Sequence, residues 1–278
     1  MKKIYFIEGL PGSGKTTLSR KLSNYLNQVH EKSMTYSEGD LHPVDLAWIA
    51  ILNQEELNDL IDKYPSLEKA ILNHIKKVDE KYYLAYTQVN IDESTKGFYD
   101  DCSKYEIYQI DDKDVFFEEH LNLWKQFIDS NKDNDYIYVF ECIFMQNHIN
   151  ELLLKYDMSL EEIYDYYDRF QEVLKDIKVK VIYIKQLNID KTLALITDQR
   201  RTTDKNLYKD WIDHVIDYFE NSKYGKDKNY IGYDGALRYF KYRQTIELKL
   251  LDHLSIEKVI LDLDDDYDQV FNNMIEEL

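Results

Sequence analysis

Near its start the chain reads Ile4-Tyr5-Phe6-Ile7-Glu8-Gly9-Leu10-Pro11-Gly12-Ser13-Gly14-Lys15-Thr16-Thr17. From Gly9 to Thr16 this stretch fits Gly-x-x-x-x-Gly-Lys-Thr, the P-loop pattern that cradles phosphate groups. The chain has only 8 glycines and 3 prolines, so three glycines and a proline within six positions indicate a specialised turn. The pattern therefore predicts a phosphate-binding loop at residues 9–17.

The residues on either side of this loop support the same interpretation. A short apolar run, Ile4 to Ile7, predicts a buried strand, and Leu18, Leu22 and Leu26 follow the loop at helical spacing. Between strand and helix, glycines let several backbone N–H groups point at one anion, and the helix N-terminus adds partial positive charge. The predicted contacts to nucleotide phosphate are Gly9, Pro11, Gly12, Ser13, Gly14, Lys15, Thr16 and Thr17.

Two of these residues have side chains with specific predicted roles. Lys15 is expected to reach the β- and γ-phosphates, and the hydroxyl of Thr16 is expected to bind Mg²⁺. The predicted cofactors are therefore ATP and Mg²⁺.

Further apolar runs and helical patterns alternate along the chain. Four more strands are predicted, at Ser33–Ser37, Tyr136–Phe140, Val179–Ile184 and Lys258–Leu261. The first predicted helix covers Met145–Tyr156, and a second runs from the capping box at Ser159 to about Lys175. A third helix is predicted to be capped by Asn188 or Asp190. The last two are predicted at Ala236–Leu254 and after Asp266. This alternation predicts an α/β protein with a parallel sheet, which binds its ligand at the carboxyl ends of the strands.

Two stretches interrupt the alternation. Residues from about 45 to 134 are too many for one crossover and predict an inserted, mostly helical cap. Residues 202–235 carry several lysines and glycines and predict a mobile lid. We expect one domain over residues 1–278 that carries these two elaborations.

Acidic side chains follow two of the predicted strands. Glu38 and Asp40 come after the second strand, where one of them is expected to accept a hydroxyl proton or bind Mg²⁺ through water. A polar turn is the alternative. Glu141 ends the third strand, and an ionised carboxylate there needs a partner such as Mg²⁺, its waters or an acceptor. A salt bridge to a buried lysine is the alternative for Glu141.

Arginine is rare in this lysine-rich chain, and four of the six arginines flank the predicted lid. These four are Arg200, Arg201, Arg238 and Arg243. Phosphoryl transfer needs fixed cations on the moving phosphate, so Arg200 and Arg201 are predicted catalytic residues. Solvated salt bridges on an acidic surface are the alternative.

Composition excludes several classes of protein. Lys+Arg is 35 and Asp+Glu is 53, so the formal net charge is −18, which disfavours nucleic acid polymers and anionic membranes as partners. Two cysteines exclude a disulfide framework and a cysteine-rich zinc site. Neither a membrane span nor a signal-peptide core is evident, so we expect a cytoplasmic protein. The expected partner is a small-molecule acceptor, and a homodimer is possible.

The stretch Phe6-Ile7-Glu8-Gly9-Leu10-Pro11-Gly12-Ser13-Gly14-Lys15-Thr16-Thr17 closely resembles the opening of a thymidylate kinase. The resemblance extends to the nucleoside and nucleotide kinase group of P-loop proteins over roughly residues 2–43, 136–201 and 236–278. It implies a three-layer P-loop fold with five parallel strands in the order 2-3-1-4-5, and Mg-ATP as phosphoryl donor. It also implies a general base at Glu38, with Asp40 second. Cys142 stands where those kinases often carry an arginine, so that acceptor contact is missing.

Three functional hypotheses follow. The leading one is phosphoryl transfer from ATP to a small hydroxyl or phosphate acceptor, similar to a nucleoside, nucleotide or antibiotic, with Lys15, Glu38, Asp40, Glu141, Arg200 and Arg201 as its catalytic residues. The second is an ATPase or nucleotide switch driven by a protein partner. A GTPase switch would need a base-reading motif after a late strand. The nearest match, Asn131-Lys132-Asp133-Asn134, lacks the final Asp of that motif and precedes a strand, which argues against a GTPase. The third is a binding module without catalysis.

Overall fold

A computed structural model describes residues 1–38, 42–45, 47–78, 80–205, 209–264 and 266–278. Within these residues the chain forms two compact units. The larger unit comprises residues 1–37 and 128–278, and the smaller unit comprises residues 38–127.

The strands and helices are numbered in chain order. The strands are β1 Lys3–Gly9, β2 Ser33–Tyr36, β3 Ile49–Leu52, β4 Ile75–Val78, β5 Lys81–Ala85, β6 Ile137–Glu141, β7 Val179–Gln186 and β8 Glu257–Leu263. The helices are α1 Lys15–Gln28, α2 Gln54–Lys63, α3 Glu68–Asn73, α4 Phe98–Ser103, α5 Lys113–Asn131, α6 Gln146–Asn150, α7 Leu160–Leu174, α8 Ile189–Gln199, α9 Trp211–Asn221, α10 Lys223–Asp227, α11 Gly232–His253 and α12 Tyr267–Glu276.

The larger unit is built on a five-stranded sheet in the order β2-β6-β1-β7-β8, with every neighbouring pair parallel. Counted within this sheet alone, the order is 2-3-1-4-5, as the sequence analysis predicted. All five predicted strands are present and differ from the predicted ranges by at most two residues at either end. Parallel pairing gathers the carboxyl ends of the strands along one edge, where polar residues from distant segments can meet.

Helices cover both faces of this sheet. On one face, Ile7 and Ile182 belong to a buried cluster with Leu22 of α1 and Met274 of α12. On the other face, Phe6 stacks on Phe144 with ring centroids 4.7 Å apart, and Phe144 packs against Phe170 of α7 at 5.3 Å. Strands that are buried on both faces have continuous apolar sequences, which is why the sequence predicted β1, β6 and β7.

Capping side chains begin three of the predicted helices. The capping box of Ser159 and Glu162 is confirmed at the start of α7, where each side chain accepts a hydrogen bond from the backbone N–H of the other residue. Asn188, and not Asp190, caps α8 by accepting from Lys191 N at 3.0 Å. Asp266 caps α12 in the same manner. Such side chains satisfy N–H groups that a helix leaves without an internal partner.

The smaller unit contains strands as well as the helices that a mostly helical insert was expected to have. Besides α2, α3, α4 and most of α5, it contains a three-stranded antiparallel sheet in the order β3-β5-β4. Its strands are four or five residues long, which is too short for a clear twofold hydrophobic period. They are stabilised by pairing across the unit, as in Ile49 opposite Ala85, so local patterns did not reveal them.

The segment predicted as a lid begins with coil and continues into α9, α10 and the start of α11. Residues 206–208 within it lie outside the described residues. Phe219 of α9 is buried and lies 4.3 Å from the ring of Tyr239 in α11. The predicted mobility of this segment stays a prediction.

None of the helices in the described part of the chain combines the length and the apolar character that crossing a lipid bilayer requires.

We predict that Ser159→Ala lowers the free energy of unfolding by about 1 kcal/mol, because the first turn of α7 loses its side-chain acceptor. Urea unfolding followed by circular dichroism measures the change. Thr203→Ala, at an exposed coil position of the same unit, is the control and should stay within about 0.5 kcal/mol of the original chain. Equal stability of the original chain and Ser159→Ala would show that the capping box contributes nothing.

Candidate functional site

The glycine-rich loop joins the central strand β1 to helix α1. Gly9 has φ +143°, and a Cβ added there would lie 2.5 Å from the carbonyl oxygen of Ile184 in β7. Gly14 has φ +79° at the N-cap of α1. Only glycine adopts these conformations at low cost and leaves room for the neighbouring strand, which explains why the loop is rich in glycine.

The first turn of α1 has the features of an anion site. Gly14 provides no side chain to cap the helix, and the first turn of α1 contains no acidic residue. Its N–H groups and the positive end of the helix dipole are therefore open to an external anion. Lys15 adds a full positive charge beside them: it is almost completely buried, and its ammonium donates to the carbonyl oxygen of Leu10 at 2.9 Å.

Glu141 lies at the carboxyl end of β6, next to β1, and contacts this loop. The hydroxyl of Thr16 donates to Glu141 Oε1 at 2.6 Å, across 125 residues of sequence. The second carboxylate oxygen, Oε2, is buried and has no hydrogen-bond partner among the described residues. Lys15, Thr16 and Glu141 were each predicted separately as site residues, and the structure brings them together.

These oxygen atoms suit a hard divalent cation. Mg²⁺ prefers oxygen ligands, keeps several waters and is usually held by one or two protein oxygens together with substrate phosphates. A hydroxyl and a buried carboxylate with an unpartnered oxygen, next to an anion site, match that donor set. Thr16 and Glu141 therefore fit Mg²⁺.

Three polar residues that were not predicted as site residues hold backbone segments of the site: two bind the glycine loop, and one binds the turn after β6. Gln186, the last residue of β7, donates from Nε2 to the carbonyl oxygen of Pro11 at 2.8 Å. Tyr267, the first residue of α12, donates its hydroxyl to the carbonyl oxygen of Gly12 at 3.0 Å. Its ring also lies against Gly14, 2.4 Å from where a Cβ would be. A polar residue at a strand end was the only available signal for Gln186.

Glu8 is the third such residue. It directly precedes the loop, is completely buried, and accepts backbone hydrogen bonds from Phe144 at 2.7 Å and Gln146 at 3.2 Å. Burial raises the pKa of this carboxyl to about 8, while its backbone donors and the charge of Lys15 oppose the shift and the charge of Glu247 adds to it. An acidic residue at the end of an apolar run was a signal in the sequence, as it was for Glu141.

The other predicted residues lie outside this group. Arg200 and Arg201 directly follow α8 and are exposed. The guanidinium carbon of Arg200 lies over the ring of Trp211, 5.1 Å from its centroid. Arg201 forms a salt bridge with Asp198 at 3.1 Å. Ile196, one helical turn before Arg200, lies next to Gly12 of the glycine loop. A Cβ built on Gly12 would be 3.6 Å from the Cβ of Ile196. A turn of helix advances about 5.4 Å, so the end of α8 lies close to the loop.

Glu38 begins the smaller unit, and Asp40 lies outside the described residues. The exposed carboxylate of Glu38 accepts from the indole N–H of Trp48 at 3.2 Å. Trp48 itself has φ +63°, a strained conformation for a large side chain. His42 accepts from the backbone N–H groups of Val44 and Asp45 through Nδ1, and burial lowers its pKa to about 3, so it serves as a neutral turn residue.

Comparison with known proteins adds no family. No protein-family model matches this chain, and a search of curated proteins finds no match. The features of the site are a helix N-terminus without a side-chain cap, a buried lysine, and a hydroxyl–carboxylate pair.

We predict that Glu8 makes stability depend on pH. Its pKa is about 4.5 when unfolded and about 8 when folded, so the folded state retains a proton that the unfolded state releases. The contribution of Glu8 to the free energy of unfolding is fully present at pH values below the unfolded pKa. It decreases by about 1.4 kcal/mol per pH unit as the pH rises towards 8. Urea unfolding of the original chain and of Glu8→Gln, at intervals from pH 5 to 8.5, measures the difference.

The original chain should lose stability relative to Glu8→Gln as the pH rises, because glutamine cannot ionise. Parallel stability profiles for the two proteins over this range would contradict a raised pKa at Glu8.

Proposed function

We propose that this chain is an ATP-dependent phosphotransferase that transfers a phosphoryl group to a small hydroxyl or phosphate acceptor. The observation that carries the proposal is the contact between Thr16 and Glu141 at 2.6 Å. It pairs a hydroxyl and a carboxylate directly beside a glycine loop, a buried lysine and an uncapped helix N-terminus. Phosphoryl transfer needs this combination, since its catalysis consists mainly of positioning and charge neutralisation.

We further propose that the larger unit has the three-layer P-loop NTPase fold. Its strand order supports this, and so does the position of the glycine loop directly after the central strand β1. Helices on both faces of the sheet are a third argument. In such a fold the nucleotide phosphates lie at the carboxyl edge of the sheet, where Lys15 and Glu141 lie.

The side chains of the site then have distinct roles. The backbone N–H groups of Gly12, Gly14 and Lys15 bind phosphate oxygens, and the Lys15 ammonium exchanges the carbonyl of Leu10 for a phosphate. Thr16 and Glu141 hold Mg²⁺, which neutralises charge on the phosphates. The leaving nucleotide is thereby stabilised where negative charge develops.

The acceptor side of the reaction involves residues that follow β2 and α8. We propose Glu38 as the general base that accepts the hydroxyl proton, with Asp40 as second choice, and Arg200 and Arg201 as cations on the transferred phosphate. A salt bridge as weak as the exposed pair of Arg201 and Asp198 is easily exchanged for a phosphate contact. Nucleosides, nucleoside monophosphates and hydroxyl-bearing antibiotics are the acceptor classes to be tested.

We predict that Lys15→Ala keeps the fold but lowers turnover by at least about 10²-fold, the loss seen when one fixed donor to a developing charge is removed. Lys21→Ala is the matched control, because it removes the same charge from a half-buried position of the same helix, where Lys21 pairs with Asp268. ADP release and circular dichroism are measured for both variants. Unchanged turnover in Lys15→Ala would overturn the proposed function.

The experiment that identifies the reaction is ADP release with Mg-ATP, and GDP release with Mg-GTP, alone and with each acceptor class. We expect ADP release that depends on one acceptor class and is lost in Lys15→Ala. ADP release that is independent of every acceptor would contradict phosphotransfer to a small molecule and favour an ATPase driven by a protein partner. No release with any pair, in a protein that also fails to bind ATP, would contradict both.

A further inference from the structure

Glu8 is a buried carboxyl that the proposed function does not yet use. It ends the apolar part of β1, its side chain is completely buried, and it has two acceptor atoms facing two backbone donors. Burying a carboxyl costs several kcal/mol unless hydrogen bonds compensate for lost water. A purely apolar residue at this position would avoid the cost, so the hydrogen bonds of Glu8 require an explanation.

Both hydrogen bonds go to the loop that follows β6. Oε1 accepts from Phe144 N at 2.7 Å and Oε2 accepts from Gln146 N at 3.2 Å, so the carboxyl bridges two amides of one turn. A carboxyl group offers an oxygen acceptor to each of the two N–H groups, whereas an amide side chain would turn its own NH₂ towards one of them. Tyr167 also holds this turn, by donating its hydroxyl to the carbonyl oxygen of Phe144 at 2.6 Å.

This loop begins at the residue after Glu141. Cys142 has φ +69°, in the left-handed region that non-glycine residues avoid, and its N–H donates to the carbonyl oxygen of Ile7 at 3.3 Å. Such a conformation persists only where surrounding contacts impose it. The bridge from Glu8 to Phe144 and Gln146 lies two to four residues further on and supplies those contacts.

The two carboxyl groups belong to opposite faces of the sheet. Ile7 pairs with Glu141 in the β1–β6 register, whereas Glu8 pairs with Tyr183 in β7. Successive residues of a strand point to opposite faces, so Glu8 lies on the face away from Thr16 and α1. From that face it can hold the end of β6 without competing for the ligands of Glu141.

We propose that Glu8 is the positioning residue that holds the 142–146 turn and thereby keeps the Glu141 carboxylate against Thr16 for Mg²⁺. This inference rests on the proposed function, because it deepens the role of the same site. Without the bridge, the strained turn relaxes, and Glu141 is no longer held at hydrogen-bond distance from Thr16. Nucleotide binding through Lys15 and the backbone N–H groups does not depend on Glu8.

The experiment uses the full chain and measures two quantities. The first is amide hydrogen exchange of residues 142–147 without ligand. The second is the dissociation constant of ATP, once with excess chelator and once with Mg²⁺, which gives the gain in affinity due to the metal. We expect Glu8→Gln to accelerate exchange in 142–147 about tenfold and to reduce the Mg²⁺-dependent gain about tenfold, as expected when a buried N–H group loses its acceptor. Binding of ATP without metal should remain within about twofold.

Tyr183→Phe is the matched control. It removes a buried hydroxyl from the neighbouring strand, and that hydroxyl donates to Glu247 at 2.5 Å and not to the 142–146 turn. Both measured quantities should stay within about twofold of the original chain. Glu8→Asp keeps two acceptors but withdraws them by one methylene group, and its effects should lie between those of the original chain and Glu8→Gln; it answers the question if Glu8→Gln does not fold.

The outcomes separate this inference from the proposed function. An original chain without Mg²⁺-dependent ATP binding would contradict the function and, with it, the role of Glu8. An original chain that shows the gain, together with a Glu8→Gln variant that keeps it, would overturn the role of Glu8 alone. Faster exchange with an unchanged gain would also overturn it, since Glu8 would then stabilise the turn without positioning Glu141.

Discussion

The parallel pairing of β1 with β6 is the constraint on which the site depends. These strands are far apart in sequence, yet their register sets Ile7 beside Glu141. Because both strands end at the same edge, the residues after β1 become the glycine loop and the last residue of β6 becomes its acidic neighbour. The hydrogen bond from Thr16 to Glu141 at 2.6 Å is a consequence of that register. A shift by one residue would turn Glu141 to the opposite face.

Charged groups beneath this edge are unusually well buried and paired. Glu247 of α11 accepts from the Nε of Arg243 at 2.6 Å and from the hydroxyl of Tyr183 at 2.5 Å, and all three side chains are buried. Arg243 also donates to Asn150 at 3.1 Å. In a region of low dielectric constant such contacts are strong, and breaking one leaves a costly unpaired charge. The cluster ties α11 and the end of α6 to the sheet on the same face as Glu8.

The central strands β1, β6 and β7 could be predicted because their burial on both faces makes each a compact apolar run. The edge strands β2 and β8 are only partly buried, and shorter apolar runs predicted them. The capping box at Ser159 was evident for a similar reason, and Asn188 was one of two candidate caps, since capping is a local interaction between neighbouring residues. The antiparallel sheet of the smaller unit could not be predicted in this way. Its strands β3 and β5 are separated by α2 and α3, and their stability comes from pairing that local patterns do not contain.

The candidate site divides along the same line. The sequence by itself determined the glycine loop, Lys15 and Thr16, because a turn that cradles phosphate requires these residue types at fixed spacing. It also singled out Glu141 as a carboxylate in need of a partner. Only the tertiary structure decided that the partner is Thr16, and that Glu8, Gln186 and Tyr267 hold the loops of the site. Each of these contacts joins strands or helices that are distant in sequence, and only the packing of the sheet brings them together.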